Sequence, residues 1–297
     1  MSAFTVTATQ LNLRRTPAVA SNNVITTLPN GHSVEDLDRS TAPWWKVRTT
    51  FHNSVLEGFV HSDHLKPAAS VPPAPTESAV TPVHLGEHAN ARKDSTTGRA
   101  FAIGDPSKPR RGTTAPTTDL AAIITYLDVE RSARYQPTSV STFCNIYAYD
   151  YCYLAKTYLP RVWWTGSALA RLARGESVEV RYAVTVNELN ANSLFDWLND
   201  HGSQFGWRRV FDLDELQSHA NSGGVAVICA KRKDLNRSGH IAAVVPETST
   251  HQAARTAGAV VRPLQSQAGS SNHRYTNGPR AWWQGAEFRD FGFFIAP

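Results

Sequence analysis

Two residues of this chain stand in settings that favour chemistry. Cys144 lies in the stretch STFCN, at the predicted start of a helix, where unpaired backbone N–H groups and the positive end of the helix dipole favour a thiolate. His240 opens the apolar run HIAAVV directly after a glycine, a position typical of neither a pure core strand nor a surface loop. A cysteine at a helix N-terminus that faces a histidine on a strand is the arrangement of an activated sulfur nucleophile.

A third polar group is expected to orient the imidazole of His240. The stretch VVRPLQSQ follows the histidine strand, and the period of two places Gln265 and Gln267 on one face of it. We favour Gln267 as the orienting residue, with Gln265 second and Asn272 third. The opposing interpretation, in which both glutamines are solvent-facing edge residues, stays open from the sequence.

No metal and no cofactor is predicted. His84 and His88 are spaced like the ligands of a zinc helix, but Gly86 and the loop-like context argue against such a helix. The sequence contains no glycine-rich phosphate loop. The other two cysteines, Cys152 in mid-helix and Cys229 in mid-strand, occupy positions where nothing is expected to lower a thiol pKa.

The composition narrows the classes of function. The net charge of +5 is thinly spread, without the basic arm or stripe of a nucleic-acid-binding protein. No run approaches the ~20 apolar residues of a membrane span, so membrane insertion is not expected. The N-terminus lacks the charged and apolar regions of an ordinary signal peptide, so action outside the producing cell would need another delivery route.

Two regions of different pattern flank a proline-rich linker. Residues 1–67 contain five short strand patterns separated by turn signals, which predict a small all-β barrel. Residues 68–117 combine the linker with an irregular segment. Residues 118–297 contain five helical patterns followed by four strand patterns. This order predicts an α+β domain in which helices pack on an antiparallel sheet.

The element boundaries determine where the candidate thiol lies. The first helix is expected to be capped by Thr118, and the helix of Cys144 to begin at Ser141 or Thr142. That second helix is expected to run to about Tyr158. Residues 260–267 are expected to form one strand of a hairpin beside the histidine strand.

The first region resembles the bacterial SH3 domain. The stretches LNLRRTP, TTLPNGHSVEDL, WWKVR and GFVHSDHLKP carry this resemblance, in order, over residues 5–67. It implies a module that binds peptidoglycan in the cell wall. It also implies that one ring of the pair Trp44-Trp45 enters the core, while the other, taken as Trp45, lines a ligand groove.

The last region resembles the papain-like amidases and endopeptidases of the NlpC/P60 and CHAP superfamily, especially endolysin-type and toxin-type wall hydrolases. RYQPTSVSTFCNIYAYDYCYLA, SGHIAAVVP and LQSQAGSSN carry this resemblance. It implies that Cys144 is the nucleophile, His240 the base and Gln267 the orienting residue. Asn145, beside the nucleophile in the motif, is expected in the substrate site together with Gln265.

The two resemblances together imply a peptidoglycan hydrolase that cleaves an amide bond in the stem peptide or cross-bridge. Such a protein would act on the cell wall, secreted or injected into the periplasm of a target cell by a non-Sec route, or released by lysis. A toxin would also have an immunity protein as partner. Two alternatives are a catalytically inactive wall-binding protein and a cysteine protease or deamidase toxin.

Paired tryptophans are the unusual feature of the composition. Six of the eight tryptophans occur as the pairs Trp44-Trp45, Trp163-Trp164 and Trp282-Trp283. Aromatic rings at a groove and a cleft suit an extended glycopeptide, so Trp45, Trp164 and Trp283 are expected to contact substrate. The simpler alternative is that each pair has one buried ring and one ring that only covers it.

Overall fold

The computed structural model describes residues 3–20, 22–51, 54–67, 80–84, 96–104 and 107–297. Most of the predicted linker lies outside these ranges. The chain forms two compact units, the first made mainly of residues 1–78 and the second of residues 79–297 without 199–203.

The N-terminal unit is an antiparallel sheet with the strand order β3-β2-β6-β5-β4-β1-β7. Its strands are β1 (Ala3–Val6), β2 (Gln10–Arg14), β3 (Val24–Pro29), β4 (Ser33–Asp38), β5 (Trp44–Phe51), β6 (Ser54–His61) and β7 (Leu65–Pro67). The sequence predicted five strands; β1 and β7, which pair with each other, are additional. They are too short to show a clear alternation of polar and apolar residues.

Gly58 and Arg14 show how the strands and loops of the first unit are held together. Gly58 lies where β6 approaches β2, and a Cβ there would lie 2.6 Å from the carbonyl oxygen of Arg14. No side chain therefore fits at this position. The buried Arg14 side chain donates to the carbonyl of Ala20 at 2.9 Å and to Oδ1 of Asn23 at 2.8 Å, which holds the loop between β2 and β3.

The second unit contains five helices and ten strands among its described residues. The helices are α1 (Pro116–Leu127), α2 (Cys144–Leu154), α3 (Gly166–Ala173), α4 (Ala191–Asp200) and α5 (Leu213–Asn221). The strands are β8 (Val162–Trp164), β9 (Val186–Glu188), β10 (Arg208–Val210), β11 (Val225–Arg232), β12 (His240–Val244), β13 (Ala254–Thr256), β14 (Ala259–Arg262), β15 (Gln265–Gln267), β16 (His273–Thr276) and β17 (Phe288–Ala296).

The main sheet of this unit is antiparallel throughout, with the order β10-β17-β11-β12-β15-β16. Helix α2 packs on one face of it, above the buried residues Val227, Cys229 and Ile241. Helix α5 packs on the other face, where Ile228 and Val244 are buried. The predicted α+β class, with helices on an antiparallel sheet, is confirmed.

The helix of Cys144 is shorter than predicted at both ends. Thr138 and Ser141 close a turn ahead of it, because the Thr138 amide donates to the Ser141 carbonyl at 2.9 Å and the Ser141 amide donates to the Thr138 hydroxyl at 3.0 Å. The helix ends at Leu154, because Lys156 adopts a left-handed backbone with φ of 59°. Cys144 is therefore the first residue of the helix.

Two further boundaries differ from the prediction. Helix α1 begins at Pro116 rather than after Thr118, since proline suits the first helical turn. The predicted strand 260–267 is two strands, because Pro263 separates them. Strand β14 pairs with β13 in a separate hairpin, and only β15 joins the main sheet beside β12.

A buried ion pair holds α2 to the segment ahead of it. Asp150 is fully buried and accepts from Nε of Arg134 at 2.6 Å and from the Tyr135 hydroxyl at 2.8 Å. The Arg134 side chain also donates to the carbonyls of Gly98 and Phe101. Asp150 thus has a structural role, because its carboxylate is occupied by Arg134 and Tyr135.

Loss of the Asp150 charge is expected to destabilise the second unit. Asp150→Asn leaves Arg134 without its anion at a buried site, which should lower the free energy of unfolding by about 3 kcal/mol. The matched control, Asp290→Asn, removes an exposed partner of Arg289 and should change it by less than about 1 kcal/mol. Urea denaturation followed by tryptophan fluorescence measures both. Equal effects would contradict the structural role of the buried pair.

Candidate functional site

Cys144 lies where the backbone can stabilise a negative sulfur. The first hydrogen bond of α2 runs from the Tyr147 amide to the Phe143 carbonyl at 3.1 Å, so the amides of the first three helical residues have no partner inside the helix. The backbone amide of Asn145 in this turn and that of Ile241 on β12 both lower the pKa of the Cys144 thiol. The residue is 2% exposed, so the thiol is almost completely shielded from water.

His240 is the first residue of β12, and its ring joins two side chains. Nε2 lies 2.6 Å from Oε1 of Gln267, the last residue of β15. An amide oxygen only accepts hydrogen bonds, so Nε2 donates in this contact. That leaves Nδ1 as the ring nitrogen available to the Cys144 thiol, and the interaction between these two groups shifts the pKa of both. The three predicted residues therefore form a continuous thiol–imidazole–amide chain.

Burial is the largest influence on the Cys144 pKa and raises it, but His240 and the backbone amides of Ile241 and Asn145 together outweigh burial, so this pKa lies below its ordinary value. Burial also acts most strongly on His240, whose pKa it lowers; the hydrogen bond and charge of Cys144 and the hydrogen bond of Gln267 reverse that effect. The His240 pKa therefore lies above its ordinary value. Both shifts favour a thiolate–imidazolium pair. Burial instead raises the pKa of Cys152 and of Cys229.

Trp282 packs its ring beside the imidazole of His240. Its ring meets the His240 ring edge-on, with the centroids 4.5 Å apart and the planes at 77°. Its indole N–H donates to Oε1 of Gln265 at 2.7 Å. Gln265, itself 2% exposed, donates to the carbonyl of Pro263 at 3.2 Å. The ring limits the access of water to the His240–Gln267 bond, and a hydrogen bond in a drier setting is stronger.

An open cleft of 1180 Å³ lies over this group. His240, Gln267 and Trp282 line it, whereas Cys144 lies beneath its lining residues Asn145 and His240. The remaining lining residues come from four segments: residues 137–142 before α2, Asn190 before α4, Arg232 at the end of β11 together with Asn236, Arg237, Ser238 and Gly239 in the loop that follows it, and residues around β16 and β17 that include Arg280 and Glu287.

Two of the tryptophans predicted to contact substrate are buried, so this prediction is wrong for them. Trp164 is 6% exposed, and its indole N–H donates to the carbonyl of Thr81 at 2.9 Å. Trp283 is 1% exposed and packs edge-on against Phe293 at 5.8 Å. Its neighbour Trp282 faces the cleft instead. Consecutive residues of a 3₁₀ helix point about 120° apart, so only one ring of this pair can face the cleft.

In the first unit, Trp44 rather than the predicted Trp45 faces a pocket. The period of two on β5 puts Trp45 on the same face as the fully buried Val47. Trp45 packs against Phe4 at 5.0 Å and beneath the Arg39 guanidinium at 4.2 Å. A shallow pocket of 280 Å³ is lined by Trp44 together with Gln10, Leu11, Asn12, Arg14, Val19, His61, Asp63 and His64.

The two remaining residues of the predicted substrate site differ in position. Asn145 lines the cleft as predicted, with its Nδ2 donating to the Leu189 carbonyl at 2.9 Å. Gln265 lies behind Trp282 and is buried, so the prediction that it contacts substrate is wrong. Its amide oxygen accepts a hydrogen bond from the indole N–H of Trp282.

Asn272, the third candidate for orienting the imidazole, holds a loop instead. Its Oδ1 accepts from the Gly269 amide at 2.9 Å. Its Nδ2 donates to the carbonyls of Val129 at 2.8 Å and Tyr135 at 3.1 Å. These bonds anchor the turn after β15, and Gly269 in that turn lies beside the His240 ring.

Trp282 is a residue of the site that the sequence did not predict, although one signal pointed to it. Gln265 was placed on the same strand face as Gln267, and a buried amide needs a hydrogen-bond partner. A tryptophan N–H is such a donor, but the sequence does not indicate which of the two adjacent rings supplies it.

No group of three or more His, Cys, Asp or Glu side chains able to hold a metal ion occurs in the part of the chain that the structure describes. His88, which raised the question of a zinc helix, lies outside the described residues. Across the same described ranges, every helix is too short or too polar to span a bilayer.

Comparison with known proteins identifies the first unit. Residues 9–66 match the bacterial SH3 domain. No curated protein matches the chain. A solved structure, NlpC2 from Trichomonas vaginalis, is 9% identical, with a TM-score of 0.25 over 99% of this chain and 72% of that chain. A likeness this slight carries no argument about fold or activity.

Alkylation by iodoacetamide tests the proposed ion pair, because the thiolate is the reactive form of cysteine. In the wild-type protein, the rate at Cys144 should be half-maximal at a pH below the ordinary thiol pKa of 9.0. Cys152 and Cys229 should stay unmodified in the folded chain. His240→Gln leaves burial dominant, so the midpoint should move above 9.0 and the rate at pH 7 should fall at least about tenfold. Peptide mass spectrometry measures the modification of each thiol. An unchanged midpoint in this variant would contradict the pairing.

Gln265→Leu and Trp282→Phe each remove the same indole–amide hydrogen bond. Each should slow alkylation of Cys144 at pH 7 by about fivefold, the equivalent of about 1 kcal/mol for one buried hydrogen bond. The double variant should be no slower than the slower single variant, because both act through one bond. Gln252→Leu, at an exposed glutamine, is the control and should not change the rate. Effects that multiply in the double variant would exclude a shared role.

Proposed function

We propose that this protein is a cysteine hydrolase that cleaves an amide bond in the peptide part of peptidoglycan. The observation that carries the proposal is the pairing of Cys144 with His240, whose ring is hydrogen-bonded to Gln267 in the lining of an open cleft. The bacterial SH3 domain at residues 9–66 supports the cell wall as the place of action.

The geometry supports acyl transfer through a thioester. The Cys144 thiolate attacks the amide carbonyl carbon, and the carbonyl oxygen becomes an oxyanion. Backbone amides in the first turn of α2 are suitable donors to that oxyanion. The His240 imidazolium gives its proton to the leaving amine as the C–N bond breaks. The neutral imidazole then takes a proton from water, and the resulting hydroxide attacks the thioester, releasing a carboxylic acid and the thiolate.

Gln267 and Trp282 support this cycle without contacting the reacting carbon. The amide oxygen of Gln267 keeps the ring of His240 in one orientation through both proton transfers. The ring of Trp282 restricts the rotation of His240 from the side. Gln265 acts through Trp282 and is a positioning residue.

The SH3 domain would contribute by tethering. A module that holds the enzyme on an insoluble polymer raises the local concentration of the bonds to be cut, without changing the chemistry at Cys144. The pocket beside Trp44, with its two histidines and its asparagine, offers hydrogen-bonding groups around an aromatic ring. Such a combination suits a peptide or sugar of the wall.

Digestion of purified peptidoglycan tests the proposed function. The full chain should release fragments with a newly formed carboxylate or amine, which mass spectrometry identifies together with the bond cut. Cys144→Ala removes the nucleophile and should lower the rate at least about 10³-fold. The matched control is Cys152→Ala, which removes a buried thiol from the same helix and should retain the wild-type rate.

Two results would contradict the proposal in different ways. Fragment release by Cys144→Ala at the wild-type rate would exclude the cysteine mechanism. An intact wall after treatment with wild-type protein, combined with cleavage or deamidation of a protein substrate, would favour the protease or deamidase alternative. An intact wall combined with tight binding to it would favour an inactive wall-binding protein.

A further inference from the structure

The cleft above Cys144 carries an excess of positive charge. Three arginines line it, Arg232, Arg237 and Arg280, against one carboxylate, that of Glu287. No lysine and no aspartate is among its lining residues. The whole chain carries only a thin positive excess, so this local concentration of guanidinium groups exceeds the average for the surface.

Arg232 is the arginine that the fold holds in place. It is the last residue of β11, and its amide donates to Oδ1 of Asn192 at 2.9 Å. Its Nε donates to the carbonyl of Ser238 at 2.8 Å, and its guanidinium lies 5.3 Å from the centre of the Phe288 ring. Its two terminal nitrogens have no carboxylate partner among the described residues.

Two packed aromatic rings, those of Phe288 and Trp282, lie between Arg232 and His240. Phe288, beneath the guanidinium, meets Trp282 with the ring centroids 5.7 Å apart. Trp282 in turn meets His240 at 4.5 Å. Two ring contacts thus connect the guanidinium to the imidazole. The charge of Arg232 acts at His240, because it lowers the His240 pKa and so opposes the imidazolium form.

The other two arginines are available to a ligand. Arg237 and Arg280 are exposed, and neither side chain makes a hydrogen bond or an ion pair within the described part of the chain. Unpaired guanidinium groups that line the same cleft repel each other. An anion bound between them would relieve this repulsion and would be held by the paired N–H donors that suit a carboxylate.

We propose that these arginines form an anion subsite, in which Arg232 binds a free carboxylate of the substrate next to the scissile amide. The inference rests on the proposed function and specifies its substrate class, an acidic peptide with an unblocked carboxylate beside the bond that is cut. Arg237 and Arg280 attract the same charge from the outer part of the cleft.

Two alkylating reagents of similar size separate charge recognition from thiol reactivity. Iodoacetate and iodoacetamide both form a C–S bond with the Cys144 thiolate and expel iodide, and they differ in the presence of a carboxylate. The ratio of their rate constants at Cys144 measures the preference for an anion. Any change in the pKa of His240 or Cys144 affects both reagents equally and cancels in this ratio.

The ratio of the iodoacetate rate constant to the iodoacetamide rate constant should fall about tenfold in Arg232→Gln, as expected for loss of one charge-assisted hydrogen bond. It should fall less, about twofold, in Arg237→Gln, because that side chain is exposed and its charge is screened. Arg232→Lys keeps the charge and should give an intermediate ratio. The matched control is Arg208→Gln on β10, which removes an exposed arginine outside the cleft and should leave the ratio unchanged.

The outcomes distinguish the two proposals. A wild-type ratio in both Arg232→Gln and Arg237→Gln would overturn the anion subsite while leaving the cysteine mechanism intact. Failure of both reagents to modify Cys144 in the wild-type protein would overturn the proposed function, and the subsite with it. On wall fragments, the wild-type protein should cleave native peptides about tenfold faster than peptides whose carboxylates have been converted to methylamides. Equal rates would also overturn the subsite.

Discussion

Stabilisation of a charged sulfur at a buried position is the constraint on which this site depends. Burial alone would keep the Cys144 thiol protonated, as it does for Cys152 in the same helix. The partners that offset burial come from the first turn of α2 and from His240 and Ile241 at the start of β12. The thiolate can therefore exist only when this helix is packed on this sheet.

A strand of three residues links the parts of the site. On β15, Gln265 and Gln267 face the Trp282 and His240 rings, and Ser266 between them bonds to the hydroxyl of Tyr147 on α2. Because successive residues of a strand point to opposite faces, the two glutamines support the imidazole on one face of β15 and Ser266 holds the nucleophile helix on the other. A shift of β15 by one residue would exchange these two roles.

Local patterns predicted the chemical residues well, because their settings depend on near neighbours in the chain. A polar stretch before an apolar helix placed Cys144 near a helix start, and the alternation of VVRPLQSQ placed the two glutamines on one face. The boundaries were less accurate. The turn formed by Thr138 and Ser141 delays the helix, and Pro263 divides the predicted strand. At both places the neighbouring residues favour the predicted element only weakly, so one turn or one proline is enough to end it.

The two-part organisation, the α+β class and the candidate residues Cys144, His240 and Gln267 can all be read from the order of residues alone. Packing between distant segments settles which tryptophan ring faces the cleft, that both rings of the pair Trp163-Trp164 are covered, and which side chain meets the imidazole. Trp282 rather than Trp283 faces the cleft, and Gln265 supports Trp282 instead of lining the cleft. The reason is physical: adjacent residues have almost the same local pattern, and exposure depends on which distant segment covers them.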